Sequence, residues 1–246
     1  MSGSENGVCV IVGASQAGVT CAFALRSEGW EGDIILYDAD PMMPYYRPPL
    51  SKTILTGAES LEEHELKPLS LYEKENIDLN LGVNVSSVNR TEKQIVLEDG
   101  TMQAYSKLVF ATGSRPLVPP IEGVDSTPNV FMLRTAQDVK DIKAAFDQSA
   151  QKRVVIIGGG YVGLETAASL RKFGGEVIVL EREIRVLARV TAPEMSAYFQ
   201  ELHNSNGVDI LIDKNVSVFE SGDGGIIVRC SDESVYDADV VIIGTG

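Results

Sequence analysis

The chain has 246 residues, a formal net charge of −14 and 44% hydrophobic residues, enough apolar material for one large or two modest globular domains. The acidic excess argues against nucleic acid as a partner, because a phosphate backbone is held by Lys and Arg clusters that this sequence lacks. No apolar run approaches the roughly 18 residues of a membrane-spanning helix, and Met1 to Gly7 has neither the basic nor the apolar stretch of a leader. No membrane span and a cytoplasmic location are therefore expected.

In chain order, the β-branched run Val8 to Val12 breaks into Gly13-Ala14-Ser15-Gln16-Ala17-Gly18. Helical spacing follows from Val19 to Arg26, then a strand from Ile34 to Tyr37 that ends on Asp38. A strand, a glycine turn and a helix N-terminus make a phosphate site, because free N–H groups and the helix dipole converge on one point. An acid roughly 20 residues past the first glycine is placed to accept hydrogen bonds from a ribose. From Asp40 to Lys52 four prolines predict a stiff extended segment rather than a helix. Leu61 to Leu81 reads as loop and helix with a solvated face at Glu62, Glu63, His64 and Glu65. Val83 to Val88, Gln94 to Leu97 and Met102 to Tyr105, with Asp99-Gly100 as a hairpin signal, predict a small antiparallel β insertion. A parallel strand, Lys107 to Ala111, then enters Thr112-Gly113, and Pro116 to Pro128 has linker chemistry.

Thr135 starts a predicted helix to about Ser149, with Asp138 in its first turn. The first unit is then repeated. Val154 to Ile157 runs into Gly158-Gly159-Gly160-Tyr161-Val162-Gly163, a helix continues through Leu170, and a strand from Glu176 to Leu180 ends on Glu181. Gly158 would make the tight turn, Gly160 would let a pyrophosphate touch backbone, and Gly163 would let the helix sit close to the strand. Ser15 replaces the middle glycine in the first copy, adding a Cβ and a hydroxyl. Two copies imply two nucleotides. A helix near Pro193 to Asn206, a meander from Val208 to Tyr236 with turns at Gly222 to Gly225, and a strand Val240 to Ile243 into Gly244-Thr245-Gly246 complete the chain. Cys9, Cys21 and Cys230 lack metal-ligand spacing and read as core thiols, so no metal site or disulfide is expected. His64 and His203 have no carboxylate or Cys partner at a useful spacing and read as surface or cap residues.

Pro44-Tyr45-Tyr46-Arg47-Pro48-Pro49-Leu50-Ser51-Lys52, with Ala111-Thr112-Gly113-Ser114-Arg115-Pro116, Leu133-Arg134-Thr135, Gly158 to Glu165, Arg185-Val186-Leu187 and Arg189-Val190-Thr191-Ala192-Pro193, resembles one branch of the FAD- and NAD(P)-dependent pyridine nucleotide-disulphide oxidoreductases. That branch holds ferredoxin, rubredoxin and putidaredoxin reductases and the apoptosis-inducing-factor-like proteins. The resemblance implies an α/β fold of two Rossmann-like, three-layer dinucleotide-binding domains with small antiparallel β insertions, an FAD-binding domain at 1–115 and an NAD(H)-binding domain at 116–246.

It further implies that Gly13, Ser15, Ala17 and Gly18 face the FAD pyrophosphate, that Lys52 lies near the flavin, that the backbone around Val85 meets the adenine, and that Arg134 contacts FAD. Arg47, Thr112 and Gly113 belong to the same cofactor-binding set. The family usually reads Gly-Asp-Glu-Pro where this chain has Asp38-Ala39-Asp40-Pro41; Asp38 is the expected ribose acid, with Asp40 second. On the NAD(H) side the set is Gly158, Gly160, Tyr161, Gly163 and Glu181, with Tyr161 over the nicotinamide pocket. Lys52 and Glu165 are the catalytic candidates, paired as in related flavin reductases.

The activity implied is transfer of electrons from NADH through FAD to an iron–sulfur ferredoxin or a rubredoxin; no cysteine stands between Asp40 and Lys52 to support disulfide chemistry. The alternatives are an NADH oxidase, a flavin subunit of a larger reductase, or an NADH-sensing interaction protein. Oligomeric state is not specified. In the resembled family the chain returns to the FAD domain after a second Thr-Gly turn, here Gly244-Thr245-Gly246, so Gly246 reads as the end of a partial sequence. These 246 residues alone are expected to bind NADH, to hold FAD weakly or not at all, and not to turn over.

Overall fold

The computed structural model describes residues 7–222 and 224–245. The leader reading up to residue 6, one position of the Gly222 to Gly225 turn and the final Gly246 lie outside the described residues. The chain divides into two compact units, one of residues up to 46 with 61–114 and one of 47–60 with 115–246.

The first unit is built on β1 (Cys9–Val12), whose Cys9, Val10 and Ile11 are all buried, as a central parallel strand covered on both faces requires. It continues through α1 (Gln16–Ser27) and β2 (Ile34–Asp38), and later α3 (Leu69–Lys74) leads to β3 (Ile77–Leu81). A three-stranded antiparallel sheet of β4 (Val85–Asn89), β5 (Gln94–Leu97) and β6 (Met102–Ala104) precedes β7 (Lys107–Phe110). The parallel sheet has the order β3-β2-β1-β7. Cys9, Ile11, Val19, Ala22 and Leu36 pack on the helix side, and Val10, Tyr37, Ile95 and Leu97 on the side of the antiparallel sheet. The chain runs outward from β1 to β3 and then returns to the other side of β1, so the strand order reverses between β1 and β7. Open α/β sheets bind ligands beyond the carboxyl ends of strands at such a reversal.

The second unit repeats the plan. It comprises α2 (Thr53–Thr56), β8 (Val130–Met132), α4 (Ala136–Gln148), β9 (Arg153–Ile157), α5 (Tyr161–Lys172), β10 (Glu176–Leu180), α6 (Pro193–Ser205), β11 (Val208–Leu211) and β15 (Val240–Ile243). A second antiparallel sheet is made by β12 (Val216–Gly222), β13 (Gly225–Cys230) and β14 (Val235–Ala238). The parallel order is β11-β10-β9-β15-β8, which reverses between β9 and β15. The expected α/β class with antiparallel insertions is borne out.

Three local expectations are corrected, and one strand that the sequence left unassigned is added. Ile77–Leu81 is a parallel strand beside β2, not loop and helix: Ile77, Leu79 and Leu81 alternate with Asp78 and Asn80, the pattern of a strand with one covered face. Val208–Leu211 is the parallel edge strand beside β10 and not the first arm of a meander. Val130–Met132, given no element in the sequence reading because it is too short to signal itself, pairs with β15. Pro48–Ser51 is a 3-10 helix with prolines in its first two positions, where a missing N–H leaves no intrahelical bond unmade and a fixed φ suits the turn.

At the base of the second sheet, Asp239 accepts from the Arg153 backbone N–H at 2.8 Å and from its Nη2 at 2.7 Å, while the Asp239 N–H donates back to the Arg153 carbonyl at 2.8 Å. Burial pushes the Asp239 carboxyl up, but the side-chain and backbone hydrogen bonds from Arg153 and its charge outweigh this and hold it below the usual range. A depressed folded-state pKa stabilises above the unfolded value, near 3.9, and that contribution fades as pH falls through the folded value. Asp239→Asn should thus lower the unfolding free energy by roughly 1–3 kcal/mol at neutral pH, with the difference from wild type shrinking below about pH 4 in urea titrations. A difference that stays constant into acid would show that charge is not its source.

Candidate functional site

Each parallel sheet carries a glycine turn at its strand-order reversal. Gly13 and Gly158 have φ of +102° and +103°, a left-handed backbone that glycine takes without strain. A Cβ on Gly18 would stand 1.8 Å from the Gly13 carbonyl oxygen, and one on Gly163 would stand 2.0 Å from that of Gly158. These glycines let α1 and α5 start hard against the turns. Gly160 is different. A Cβ there meets nothing nearer than the Gly244 oxygen at 3.8 Å, so the fold itself does not require glycine. The space lies at the N-terminus of a 12-residue helix, where the first N–H groups lack intrahelical partners and favour an anion. The residues present therefore fit a dinucleotide pyrophosphate. In the first unit Ser15 caps α1 at the equivalent position, Ala17 is exposed, and Thr112 and Gly113 are exposed just past β7.

The acid ending each second strand grips its own turn. Asp38 accepts from the Ala14 N–H at 2.5 Å and from the Asp40 N–H at 2.9 Å; Glu181 accepts from the Gly159 N–H at 2.6 Å and from the Glu183 N–H at 2.7 Å. Each carboxylate keeps further lone pairs for a ligand. Asp40, the second choice in the first unit, instead accepts from the Met42 N–H and the Tyr45 hydroxyl, folding the proline segment. Val83 N–H donates to the Asp38 carbonyl at 2.8 Å, which brings the chain leading to Val85 alongside the acid.

In the second unit the Pro48–Ser51 turn presents Ser51 and Lys52 to α5. Lys52 Nζ and Ser51 Oγ both lie 2.6 Å from Glu165 Oε2. Lys52 Nζ also donates to the Pro48 carbonyl at 3.2 Å, and buried Ser169 Oγ donates to the Ser51 carbonyl at 2.7 Å. The Lys52 and Glu165 side chains are 47% and 34% exposed, so solvent screens the ion pair to at most about 1 kcal/mol. Arg134 is held from both sides: its N–H donates to Asp138 Oδ2 at 2.8 Å and its carbonyl accepts from Arg47 Nη1 at 2.7 Å. Thr135 and Asp138 form the capping box of α4. Tyr161, the first residue of α5, is exposed.

Arg185 is spent internally, donating to the Thr191 and Ala188 carbonyls and Ser196 Oγ. Arg182 is exposed and pairs with Glu183. Burial pushes the His203 imidazole down and the Cys9 and Cys230 thiols up. The three cysteines are free, and among the described residues there is no cluster suited to a metal ion and no helix long and apolar enough to cross a membrane. Ser51 and Ser169 went unread in the sequence, the only hint being that Ser169 lies one helical turn past Glu165.

Two parallel sheets, each with a glycine turn at its reversal point and an acid gripping that turn, define a protein with a duplicated dinucleotide-binding plan. The chain belongs to the pyridine nucleotide-disulphide oxidoreductase family, whose model matches residues 8–246. It is 41% identical to putidaredoxin reductase of Pseudomonas putida over 251 residues, covering 100% of this chain and 58% of that protein. It is 36% identical to a rubredoxin-NAD(+) reductase of Pseudomonas putida, covering 96% of this chain and 61% of the other. The crystal structure of the covalent putidaredoxin reductase–putidaredoxin complex superposes with a TM-score of 0.92 at 41% identity, over 98% of this chain and 58% of that one. The chain thus spans less than two thirds of these relatives.

The two glycines of the second turn should separate fold from ligand. Gly163→Ala should destabilise the protein by about 1–3 kcal/mol through overpacking. Gly160→Ala should change stability by less than about 1 kcal/mol yet weaken NADH binding severalfold, as read by denaturant titration and by NADH fluorescence. Undiminished NADH affinity in Gly160→Ala would remove the ligand from that space.

Proposed function

We propose that the protein is an NADH-dependent flavoprotein reductase acting on a ferredoxin- or rubredoxin-type acceptor. The observation that carries this is the duplication itself: two glycine turns, each with its own acid, suit two dinucleotides in one chain. We assign FAD to the domain at 1–115, through Gly13, Ser15, Ala17, Gly18, Asp38, Val85, Thr112 and Gly113, and NAD(H) to that at 116–246, through Gly158, Gly160, Tyr161, Gly163 and Glu181. Arg47 and Arg134 complete the FAD set. When bound, the nicotinamide supplies a hydride to the flavin, which passes electrons on singly. The similarity to putidaredoxin and rubredoxin reductases supports the acceptor class, and a cytoplasmic NADH pool suits the donor.

This chain's residues bind and orient. Glu181, already anchored by two backbone N–H groups, accepts from a ribose 2′-OH and repels a 2′-phosphate. Arg185 is turned into its own loop, with Nη1 and Nη2 donating to Thr191, Ser196 and Ala188, and this holds its guanidinium in place instead of reaching out to a phosphate. Tyr161, exposed at the start of α5, covers the nicotinamide. Lys52 holds positive charge where the reduced ring gains negative charge, and Glu165 holds Lys52 in place.

An absorption spectrum of the full-length protein with and without NADH tests the reading: a flavin band that bleaches on NADH and recovers on adding an iron–sulfur acceptor is expected. A bleached state that no such acceptor reoxidises would favour a nucleotide sensor. NADH should be preferred over NADPH in kcat/KM, and Glu181→Ala should narrow the ratio; an unchanged ratio would clear Glu181 of discrimination. Glu165→Ala should slow flavin reduction more than it weakens NADH binding, non-additively with Lys52→Ala. Wild-type reduction rates in both single variants would leave the pair a purely structural role.

A further inference from the structure

We propose that Ser51 is a positioning residue that sets the geometry of Glu165, and through it of Lys52, for hydride transfer; this rests on the role given to that pair above. The pair cannot set its own geometry well. Lys52 is a long, flexible side chain, half in solvent, and an exposed ammonium tolerates many placements around a carboxylate. Ser51 is the opposite: short, buried, and mounted on a turn whose first residues are Pro48 and Pro49. Its Oγ donates to Glu165 Oε2, the same oxygen that Lys52 Nζ reaches, both at 2.6 Å.

The support continues behind it. Ser169 follows Glu165 by four residues and shares its face of α5, and buried Ser169 Oγ donates at 2.7 Å to the Ser51 carbonyl. One helix face therefore holds Ser51 twice, by its backbone through Ser169 and by its side chain through Glu165. Lys52, the next residue, takes its starting point from that doubly held position. Rotation of Glu165 away from Lys52 breaks the Ser51 bond as well, so the hydroxyl biases Glu165 toward the rotamer that meets the lysine.

The test uses the full-length, FAD-loaded protein as wild type, Ser51→Ala, Glu165→Gln and the double variant. Anaerobic stopped-flow reduction by NADH should show the limiting rate of Ser51→Ala reduced about tenfold with the NADH dissociation constant essentially unchanged. Ser51→Ala should slow Glu165→Gln no further, since the hydroxyl acts through the carboxylate. A second measurement needs no turnover: acylation of the Lys52 amine by a limiting reagent, followed by mass spectrometry, should be faster in Ser51→Ala than in wild type. Multiplying rate losses in the double variant, or an unchanged Lys52 reactivity in Ser51→Ala, would overturn the proposal. If Glu165→Gln alone reduces at the wild-type rate, the catalytic reading of the pair fails, and the Lys52 reactivity still decides whether Ser51 positions it.

Discussion

A tight constraint in this protein is the approach of a helix N-terminus to the turn that precedes it. A side chain at Gly18 or Gly163 would stand about 2 Å from a peptide oxygen of its own turn, so a single added carbon would lift the helix off the sheet. With the carbon absent, the first N–H groups of each helix, α1 in one unit and α5 in the other, sit just beyond the strand ends of their own sheet. The anion-binding geometry proposed for each unit depends on that seat. The carboxylate at the end of the second strand then pins the turn from the other side, through Ala14 in one unit and Gly159 in the other.

The two copies are not equal in what they leave open. Gly160 has free space where the first unit has Ser15, so the second turn admits closer contact with backbone, while the first offers a hydroxyl. This asymmetry suits two different dinucleotides held by one plan. The loop after β10 is similarly committed: Leu187 N–H donates to the Gly159 carbonyl at 2.9 Å, and Arg185 ties residues 188 and 191 together. A guanidinium donating to two carbonyls and the Ser196 hydroxyl organises the loop beside Glu181.

The pairing of Lys52 with Glu165 joins parts of the sequence more than a hundred residues apart, yet both lie within one compact unit. Residues 47–60 pack with the second sheet's helices although their neighbours on either side belong to the first unit. The buried Leu50 and Leu55 anchor that excursion, and the proline-started turn between them and Arg47 keeps it short and stiff. Arg47 and Arg134 meet in the same unit.

Local chemistry made much of this legible. Continuous apolar runs marked β1 and β9, glycine spacing marked both turns, Asp38 and Glu181 stood at the strand ends, and Thr135 with Asp138 announced the cap of α4, because each of these signals acts over a few residues. What was misread or left unassigned depended on partners distant in the chain. Ile77–Leu81, Val130–Met132 and Val208–Leu211 are edge strands whose identity comes from the neighbour they pair with, and short segments carry too little periodicity to declare it. The prolines at 48 and 49 read as extended chain because their fixed φ serves both an extended segment and a first helical turn; packing of Leu50 chose the latter. Ser51 and Ser169 are ordinary serines in the sequence. Only the folded chain brings their hydroxyls to Glu165 and to the Ser51 carbonyl, since a hydrogen bond of 2.6 Å is a property of two backbones held in place and not of either residue's type.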